Sequence, residues 1–169
     1  MAEKPLVGIV MGSDTDLPIM TESALTLKKF GIPFEIEITS AHRSPVRTSE
    51  YARTAKERGL KAIIVGAGGA AHLAGVIAAE TTLPVIGVPM ATTTLAGLDS
   101  LLSTVQMPGG VPVACTAIGK PGATNAAIFA VQIIGTADSA VAQKLTEHKE
   151  QLVRAVVEKS EKLKREFTI

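Results

Sequence analysis

The chain has 169 residues and a formal net charge of +1, with 46% hydrophobic and 20% charged residues. This balance is typical of a folded globular protein, so it excludes an intrinsically disordered chain and favours one domain over residues 1–169. With no basic excess, four phenylalanines, one tyrosine and no tryptophan, the composition also argues against a nucleic-acid partner, which usually needs cationic and base-stacking side chains.

The first half of the chain alternates between short apolar runs and longer helical patterns. Strands are predicted at 5–11, 33–39, 61–67 and 84–89, and helices at 16–30, 45–59 and 70–81. The second helix begins with Pro45 and ends with Gly59, which is the asymmetry expected of a helix. The second strand alternates apolar and polar residues, which favours a position near a sheet edge. This β-α order predicts a parallel sheet with helices on both faces.

The second half of the chain is less regular. We predict a loop at 90–97, a short helix at 98–106, a turn in MPGGVP, a strand at 111–118 and a helix at 122–135. A last amphipathic helix is predicted over 138–166, with its apolar residues at Val141, Leu145, Leu152, Val156 and Leu163. Many charges of the chain lie on this helix, so it either packs with one solvated face or contacts another subunit.

The single cysteine, Cys115, excludes an internal disulfide and a cysteine zinc site. Its apolar surroundings, VPVACTAI, indicate a small core residue, with a reactive thiol as the alternative. The first residues, MAEKPLVG, lack the long apolar segment of a signal peptide, and no apolar run approaches the ~20 residues of a membrane span. We therefore expect a cytoplasmic protein with no membrane partner.

Polar or small residues follow each of the first three predicted strands. The three stretches are MGSDTD, SAHRSP and GAGGAAHLAG. Ligands of open parallel sheets bind outside the carboxyl ends of the strands, where the strand order reverses. We therefore expect the three stretches to form one site.

The first stretch is suited to an anion. Gly12 and Ser13 lie between a strand and a helix, where free backbone N–H groups attract negative charge. Asp16 either caps the helix or accepts hydrogen bonds from sugar hydroxyls. The stretch lacks the Gly-Lys-Ser/Thr ending of an ATP-binding loop.

The second stretch combines an anion-binding side chain with a proton carrier. The planar guanidinium of Arg43 suits a phosphate, and the hydroxyls of Ser40 and Ser44 can donate to the same oxygens. His42 has a side chain that can accept and pass a proton near neutral pH. A hydrogen-bonded structural histidine is the alternative, which the neighbouring residues disfavour.

The third stretch, residues 66–75, contains four glycines and four alanines in ten positions. It does not match the dinucleotide pattern G-x-G-x-x-G, because Ala71 occupies the position of the last glycine. We expect it to form a dry wall of small side chains and backbone N–H groups against which a flat ligand can lie. Tight packing of a strand on a helix is the alternative.

Four stretches together resemble the PurE family of purine biosynthesis, in order and almost without gaps over residues 5–135. They are VMGSDTD, SAHRSP, GAGGAAHLAGVIAAETTLPVIGVP and GLDSLLSTVQMPGGVPVACTAIG. The resemblance implies an α/β fold, namely a flavodoxin-like three-layer sandwich with a central parallel sheet and a C-terminal helix, assembled as a homo-octamer. It implies conversion of the nucleotide N5-carboxyaminoimidazole ribonucleotide to its 4-carboxy isomer without metal, ATP or organic cofactor.

A second class of this family carboxylates aminoimidazole ribonucleotide directly with carbon dioxide. That class typically carries lysine after the histidine and lacks the GGAAH stretch. Arg43 and GGAAH are present here, so the chain resembles the mutase class, and direct carboxylation is the alternative. A flavodoxin-like binding module without catalysis is a second alternative, although the scarcity of aromatic residues disfavours flavin. The segment ATTTLAG at 91–97 departs from many relatives, which leaves the detail of that loop open.

The resemblance also implies roles for individual residues. His42 is expected to be the general acid–base. The expected substrate-binding residues are Gly12, Ser13, Asp16, Ser40, Ala41, Arg43, Ala67, Gly68, Gly69, Ala70, Ala71, His72 and Leu73. His72 either orients the migrating carboxyl group or makes a hydrogen bond from behind the reacting groups. No residue is assigned to a metal, and His148 on the last helix is expected at the surface.

The apolar content exceeds what one small core needs. Mean hydropathy is +0.31, and the segment TTLAGLDSLLSTVQMPGGVPV at 93–113 is rich in apolar residues. Contiguous exposed apolar surface usually marks an interface. We therefore expect a homo-oligomer, and the family resemblance implies an octamer.

Overall fold

Five strands form one parallel sheet in the computed structural model, which describes residues 4–168. The strands are β1 Val7–Met11, β2 Phe34–Ile38, β3 Ala62–Gly68, β4 Val85–Met90 and β5 Ala114–Cys115. Their order is β2-β1-β3-β4-β5, which is the flavodoxin-like order. The predicted parallel sheet is confirmed. Residues 1–3 and 169 of the predicted domain lie outside the described part.

Helices cover both faces of this sheet. They are α1 Leu17–Phe30, α2 Pro45–Arg58, α3 Leu73–Glu80, α4 Leu98–Val105, α5 Lys120–Gly135 and α6 Ser139–Glu166, with a 3-10 turn at Asp14–Asp16 before α1. The core on one face joins α1 and α5 to the sheet, and the core on the other face joins α2 and α3 to it. The three layers are therefore those of the predicted sandwich.

Burial along the strands follows their place in the sheet. Every residue of β1 and β4 is buried, because both faces of these strands are covered by helices. In β2 the residues alternate between half-buried and exposed towards its end, and the strand lies at the sheet edge as predicted. Gly31 and Gly59 end α1 and α2 in the left-handed conformation, with φ of 69° and 103°, which glycine adopts without steric cost.

The strand predicted at 111–118 is wrong over most of its length, because only Ala114 and Cys115 pair as β5. Pro112 has no N–H to donate, and Pro89 of the neighbouring strand has none either. The chain nevertheless follows β4, since the Thr116 N–H donates to the Gly87 carbonyl at 2.9 Å. The segment is therefore extended beside the sheet without forming a regular ladder.

Two helix starts differ from the predictions. The helix predicted at 70–81 begins at Leu73, because Gly69 has a left-handed φ of 59° and the His72 N–H closes a tight turn on the Ala70 carbonyl. The helix predicted at 122–135 begins two residues earlier, at Lys120. The later start of α3 leaves residues 69–72 as a loop at the sheet edge.

The last helix is confirmed, but only its beginning packs against the rest of the chain. Asp138 caps it, accepting hydrogen bonds from two backbone N–H groups of its first turn at 2.9 and 3.1 Å. Val141 is buried and Leu145 packs against the core. Leu152, Val156 and Leu163 are exposed, although they continue the same apolar stripe. No helix within residues 4–168 combines the length and the apolar character needed to cross a bilayer.

The burial of two residues differs from the prediction. His148 is half-buried rather than at the surface, with its ring edge-on to Phe30 at a centroid distance of 5.3 Å. Burial, with the nearby charges of Lys29 and Lys149, lowers the pKa of His148. Cys115 is half-buried rather than part of the core, and burial raises the pKa of its thiol. A raised thiol pKa disfavours the reactive thiolate.

The start of α5 depends on a glycine. A Cβ added at Gly122 would overlap the backbone carbonyl of Ala117, which cannot move away as a flexible side chain would. We predict that Gly122→Ala lowers the free energy of unfolding by about 3 kcal/mol or more, at the upper end for overpacking. Gly109→Ala is the control, because nothing lies within 4 Å of its added Cβ. Denaturant titration measures both, and equal stabilities for the two variants would contradict this packing.

Candidate active site

A cavity of about 280 Å³ opens at the carboxyl edge of the sheet. It is bordered by the chain segments that follow β1, β2, β3 and β4. Its lining residues are Gly12, Ser13, Thr15, Asp16, Ser40, Ala41, His42, Arg43, Ala67, Gly68, Ala70, His72, Leu73 and Thr92. The three stretches singled out in the sequence therefore meet at one place, where the strand order reverses between β1 and β3.

The segment after β1 contributes a buried carboxyl group. Asp16 has only 4% of its surface exposed, and burial raises its pKa, opposed in part by the backbone N–H groups of Ser13 and Gly12. Its side chain makes no capping hydrogen bond to α1, so the cap alternative is wrong. Ser13 is the residue that caps the 3-10 turn, accepting from the Thr15 N–H at 3.3 Å. The Asp16 carboxyl group remains available to a ligand in the cavity.

The turn after β2 holds a guanidinium group at the cavity mouth. Arg43 donates from Nη2 to the Gly12 carbonyl at 2.8 Å and from Nε towards Ser40 Oγ at 3.4 Å. Within residues 4–168 no carboxylate lies within ion-pair distance of Arg43. Because its partners are neutral oxygens, the guanidinium keeps its full charge for an anion.

A second, wider depression of about 530 Å³ adjoins the cavity. Gly12, Ser13, Ser40 and Arg43 line both of them. Ser44 lies in this depression, but its hydroxyl accepts a hydrogen bond from the Ser40 N–H at 2.9 Å and donates one to the Ser40 carbonyl at 3.2 Å. The side chain of Ser44 therefore supports the turn, whereas the sequence predicted a direct donor to an anion.

Two histidines meet inside the cavity. His42 Nε2 and His72 Nδ1 lie 2.9 Å apart, and the rings are nearly perpendicular, with an interplanar angle of 79°. One of these nitrogens must carry the shared hydrogen and the other must accept it. Both side chains are exposed to the cavity. The structure thus places His72 in direct contact with His42, and the choice between the two predicted roles of His72 stays a prediction.

The end of β3 and the segment after it contribute a wall of small residues to the cavity. Ala67, Gly68 and Ala70 line the cavity, and Leu73 closes its floor with 3% of its surface exposed. Gly68 has no room for a side chain, because an added Cβ would overlap the hydroxyl of Thr92. Thr92 can therefore approach the backbone of this segment closely.

Two residues of the predicted wall do not reach the cavity. Ala71 is turned into the core, with 2% of its surface exposed, and its N–H donates to Ser103 Oγ at 3.1 Å. The Gly69 carbonyl accepts from the same hydroxyl at 3.4 Å. Gly69 and Ala71 therefore shape the loop from behind, and Ser103 of α4 joins them.

Thr15 and Thr92 line the cavity although the sequence analysis did not select them. Thr92 lies two residues after the end of β4, so the rule that ligands bind at strand ends could have identified it. Thr15 belongs to the stretch already selected between Ser13 and Asp16. Within the described residues, no three His, Cys, Asp or Glu side chains come together as ligands for a metal.

Comparison with known proteins gives a consistent result. Residues 6–155 match the family described as AIR carboxylase. The chain is 56% identical over 162 residues to the N5-carboxyaminoimidazole ribonucleotide mutase of Pyrococcus horikoshii, covering 96% of this chain and 90% of that protein. It is 55% identical over 161 residues to the phosphoribosylaminoimidazole carboxylase of Candida albicans, covering 95% of this chain but 28% of that protein.

A solved structure supports the same fold. The crystal structure of Treponema denticola PurE superposes with a TM-score of 0.85 at 28% sequence identity. The match covers 95% of this chain and 99% of that chain. All the cavity residues lie inside the segment that matches the family.

The buried carboxyl of Asp16 yields a prediction about stability and pH. Because the folded-state pKa is raised, ionised Asp16 opposes folding above that pKa, and the penalty vanishes below the ordinary value of 3.8. We predict that Asp16→Asn melts at a higher temperature than the wild type at pH 7, and that the advantage disappears towards pH 3. Asp14→Asn, at an exposed position, serves as control, and its melting temperature at pH 7 should rise less. A lower melting temperature for Asp16→Asn at pH 7 would contradict the assignment.

Proposed function

Because the chain belongs to the AIR carboxylase family, we propose that it is an isomerase of purine biosynthesis. It converts N5-carboxyaminoimidazole ribonucleotide to 4-carboxy-5-aminoimidazole ribonucleotide. The observation that supports this best is the position of His42, which lines the same cavity as a wall of small residues. A proton carrier and a close-fitting wall are what a carboxyl migration needs.

The cavity and the adjoining depression suggest how the nucleotide is held. Arg43 and Ser40 lie between the two spaces and bind the phosphate, helped by the backbone N–H groups at Ser13. Asp16 accepts hydrogen bonds from the ribose hydroxyls. The imidazole ring then lies against Ala67 and Gly68, where the absence of large side chains allows face-to-face contact.

The proposed reaction has two steps with one carbon dioxide molecule held between them. The bond between the exocyclic nitrogen and the carboxyl carbon breaks, and its electron pair returns to the nitrogen, which takes a proton from His42. Carbon C4 of the ring then attacks the retained carbon dioxide, and the proton on C4 passes to His42. Atoms and protons balance, so a single imidazole near neutrality can serve as acid and then as base.

His72 either orients the migrating carboxyl group or holds His42 in place. Its Nδ1 contacts Nε2 of His42, so it fixes the orientation and tautomer of the proton carrier in the absence of substrate. The small wall around Ala70 and Leu73 meanwhile keeps water away from the released carbon dioxide. Retention of the gas distinguishes a mutase from an enzyme that releases it.

Direct carboxylation of aminoimidazole ribonucleotide is the alternative for the same cavity, and the resemblance to the Candida carboxylase favours it in part. We expect the purified chain to convert the N5-carboxy nucleotide at low carbon dioxide, without ATP and in the presence of a metal chelator. Efficient turnover only of aminoimidazole ribonucleotide with bicarbonate would replace the mutase by the carboxylase. A yellow protein with stoichiometric flavin and no turnover would indicate a binding module.

His42 and Arg43 should separate chemistry from binding. In His42→Asn we expect turnover to fall by ~10²–10⁴, the usual contribution of a general acid–base. Its affinity for the product nucleotide should stay within about tenfold, or about 1.4 kcal/mol, of the wild type.

In Arg43→Ala we expect the free energy of nucleotide binding to weaken by about 2–4 kcal/mol, and this loss should appear mainly as a higher KM. Steady-state kinetics and calorimetry measure both, and near-normal kcat in His42→Asn would overturn the mechanism.

Assembly and location belong to the same proposal. Apolar residues of α4 and the preceding loop are exposed beside the cavity, namely Leu95, Leu98, Leu102 and Val105. The outer part of α6 exposes another apolar stripe. Such surface favours a homo-oligomer, and the family resemblance favours an octamer. Because a charged nucleotide does not cross a membrane unaided, we place the reaction in the cytoplasm, where such substrates are made.

Light scattering tests the assembly. We expect a mass that is a multiple of the 17.5 kDa chain, with eight copies as the specific expectation. Leu98→Glu and Leu102→Glu should lower the mass, since a charge cannot be buried at an apolar contact without a partner. Val46→Glu is the control, at an exposed apolar position on α2. A fully active monomer would refute the proposal.

A further inference from the structure

The turn that carries His42 and Arg43 is supported from below by buried hydroxyl groups. This turn, residues 40–44, joins β2 to α2. Thr39 precedes it and Thr48 lies in the first turns of α2, with 2% and 0% of their surfaces exposed. Neither residue lines the cavity, although Thr39 borders the adjoining depression. Polar groups this deeply buried require hydrogen-bond partners, and the partners they have are all at the turn.

The hydrogen bonds of these threonines form a connected network with Ser44. Thr39 Oγ1 lies 2.8 Å from Thr48 Oγ1 and 3.2 Å from Ser44 Oγ. Thr48 Oγ1 donates to the Ser44 carbonyl at 3.2 Å, and Ser44 Oγ accepts from the Ser40 N–H. The hydroxyl groups of Thr39, Ser44 and Thr48 each have an acceptor for their hydrogen, whichever of them donates to the other. The network therefore ties the start and the end of the turn to each other.

The turn also has contacts of its own, because the Ser44 N–H donates to the Ser40 carbonyl at 2.9 Å, the Arg43 N–H donates to Ser40 Oγ at 3.2 Å, and Ala41 packs against the core. The Thr39 N–H donates to the Met11 carbonyl at 3.1 Å, which joins the turn to the end of β1. Above this point, the His42 ring contacts His72 and the Arg43 guanidinium contacts Gly12 and Ser40. The position and orientation of the His42 side chain therefore depend on these contacts and on the buried network beneath the turn.

We propose that Thr39 and Thr48 are positioning residues for His42. Neither residue lines the cavity that holds the reacting atoms, and they act by holding the 40–44 turn at one distance from the wall at Ala67 and Gly68. The inference rests on the proposed function of His42. Misplacement of a catalytic group by about 1 Å costs on the order of 10²-fold in rate, so a relaxed turn should be visible in kcat.

Valine substitutions test the network because valine keeps the branched shape and removes the hydroxyl. In Thr48→Val and Thr39→Val we expect kcat to fall about 10–100-fold, assayed well below the unfolding midpoint. Thr48→Ser keeps the hydroxyl, so its kcat should stay within about threefold of the wild type. Both threonines act through one turn. The kcat of the double valine variant should therefore be no more than about threefold below that of the less active single variant.

The matched control is Thr104→Val in α4. Thr104 is also buried, and its hydroxyl also donates to a carbonyl four residues earlier, that of Ser100 at 2.7 Å. The Thr104→Val variant should be less stable than the wild type but should keep its kcat. Normal kcat in Thr48→Val, or an equal loss of kcat in Thr104→Val, would overturn the proposal. If Thr48→Val is unfolded at the assay temperature, Thr39→Val is judged by the same criteria.

A spectroscopic measurement separates this proposal from the proposed function. The chain has three histidines, so their imidazole NMR signals can be assigned by substitution. The signals of His42 and His72 should shift in both valine variants, while the signal of His148 stays in place. If the wild type shows no turnover, the proposed function fails, but these shifts still report the turn. Unshifted signals in both variants would overturn the positioning role.

Discussion

The position of β1 between β2 and β3 is the constraint on which the candidate site depends. After β1 the chain turns to the face covered by α1 and α5, whereas after β3 it turns to the face covered by α2 and α3. The two neighbouring strand ends therefore lead in opposite directions and leave a crevice between them. The turn after β2 closes the third side of this crevice.

The crevice separates two kinds of surface. The segments after β1 and β2 present polar groups, including the buried carboxyl of Asp16, and the segment after β3 presents small residues. The glycines along β3 and its loop are required by close approach, as the contact between Gly68 and Thr92 illustrates. The groups proposed to bind the sugar phosphate and the wall proposed to exclude water thus belong to segments that follow different strands. Ionised Asp16 nevertheless opposes folding, which is the usual relation between a functional site and stability.

Most of the site could be predicted because its signals are local in the sequence. Apolar runs of strand length identified β1, β3 and β4, and alternation of apolar and polar residues identified β2. The polar or small residues after the first three strands identified the candidate site. The remaining features depend on distant parts of the chain. The short β5 reflects prolines on both paired segments, and the direction of Ala71 depends on Ser103 of α4. The buried network beneath His42 was not predicted, because the sequence marks Thr39 and Thr48 only as polar residues beside a turn. Thr92 could have been found with the strand-end rule.

The exposed outer part of α6 gives the chain an uneven distribution of local stability. Near Val141 and Leu145 the helix shares the core, so its amide hydrogens are protected by the whole fold. From residue 151 onwards every described side chain is exposed, and the backbone is held by its own helical hydrogen bonds, which are marginal in water for an isolated segment. In a single chain this part of the helix therefore opens and closes without unfolding the sheet. An ordered outer helix in solution would thus report contact with another molecule rather than the stability of the chain itself.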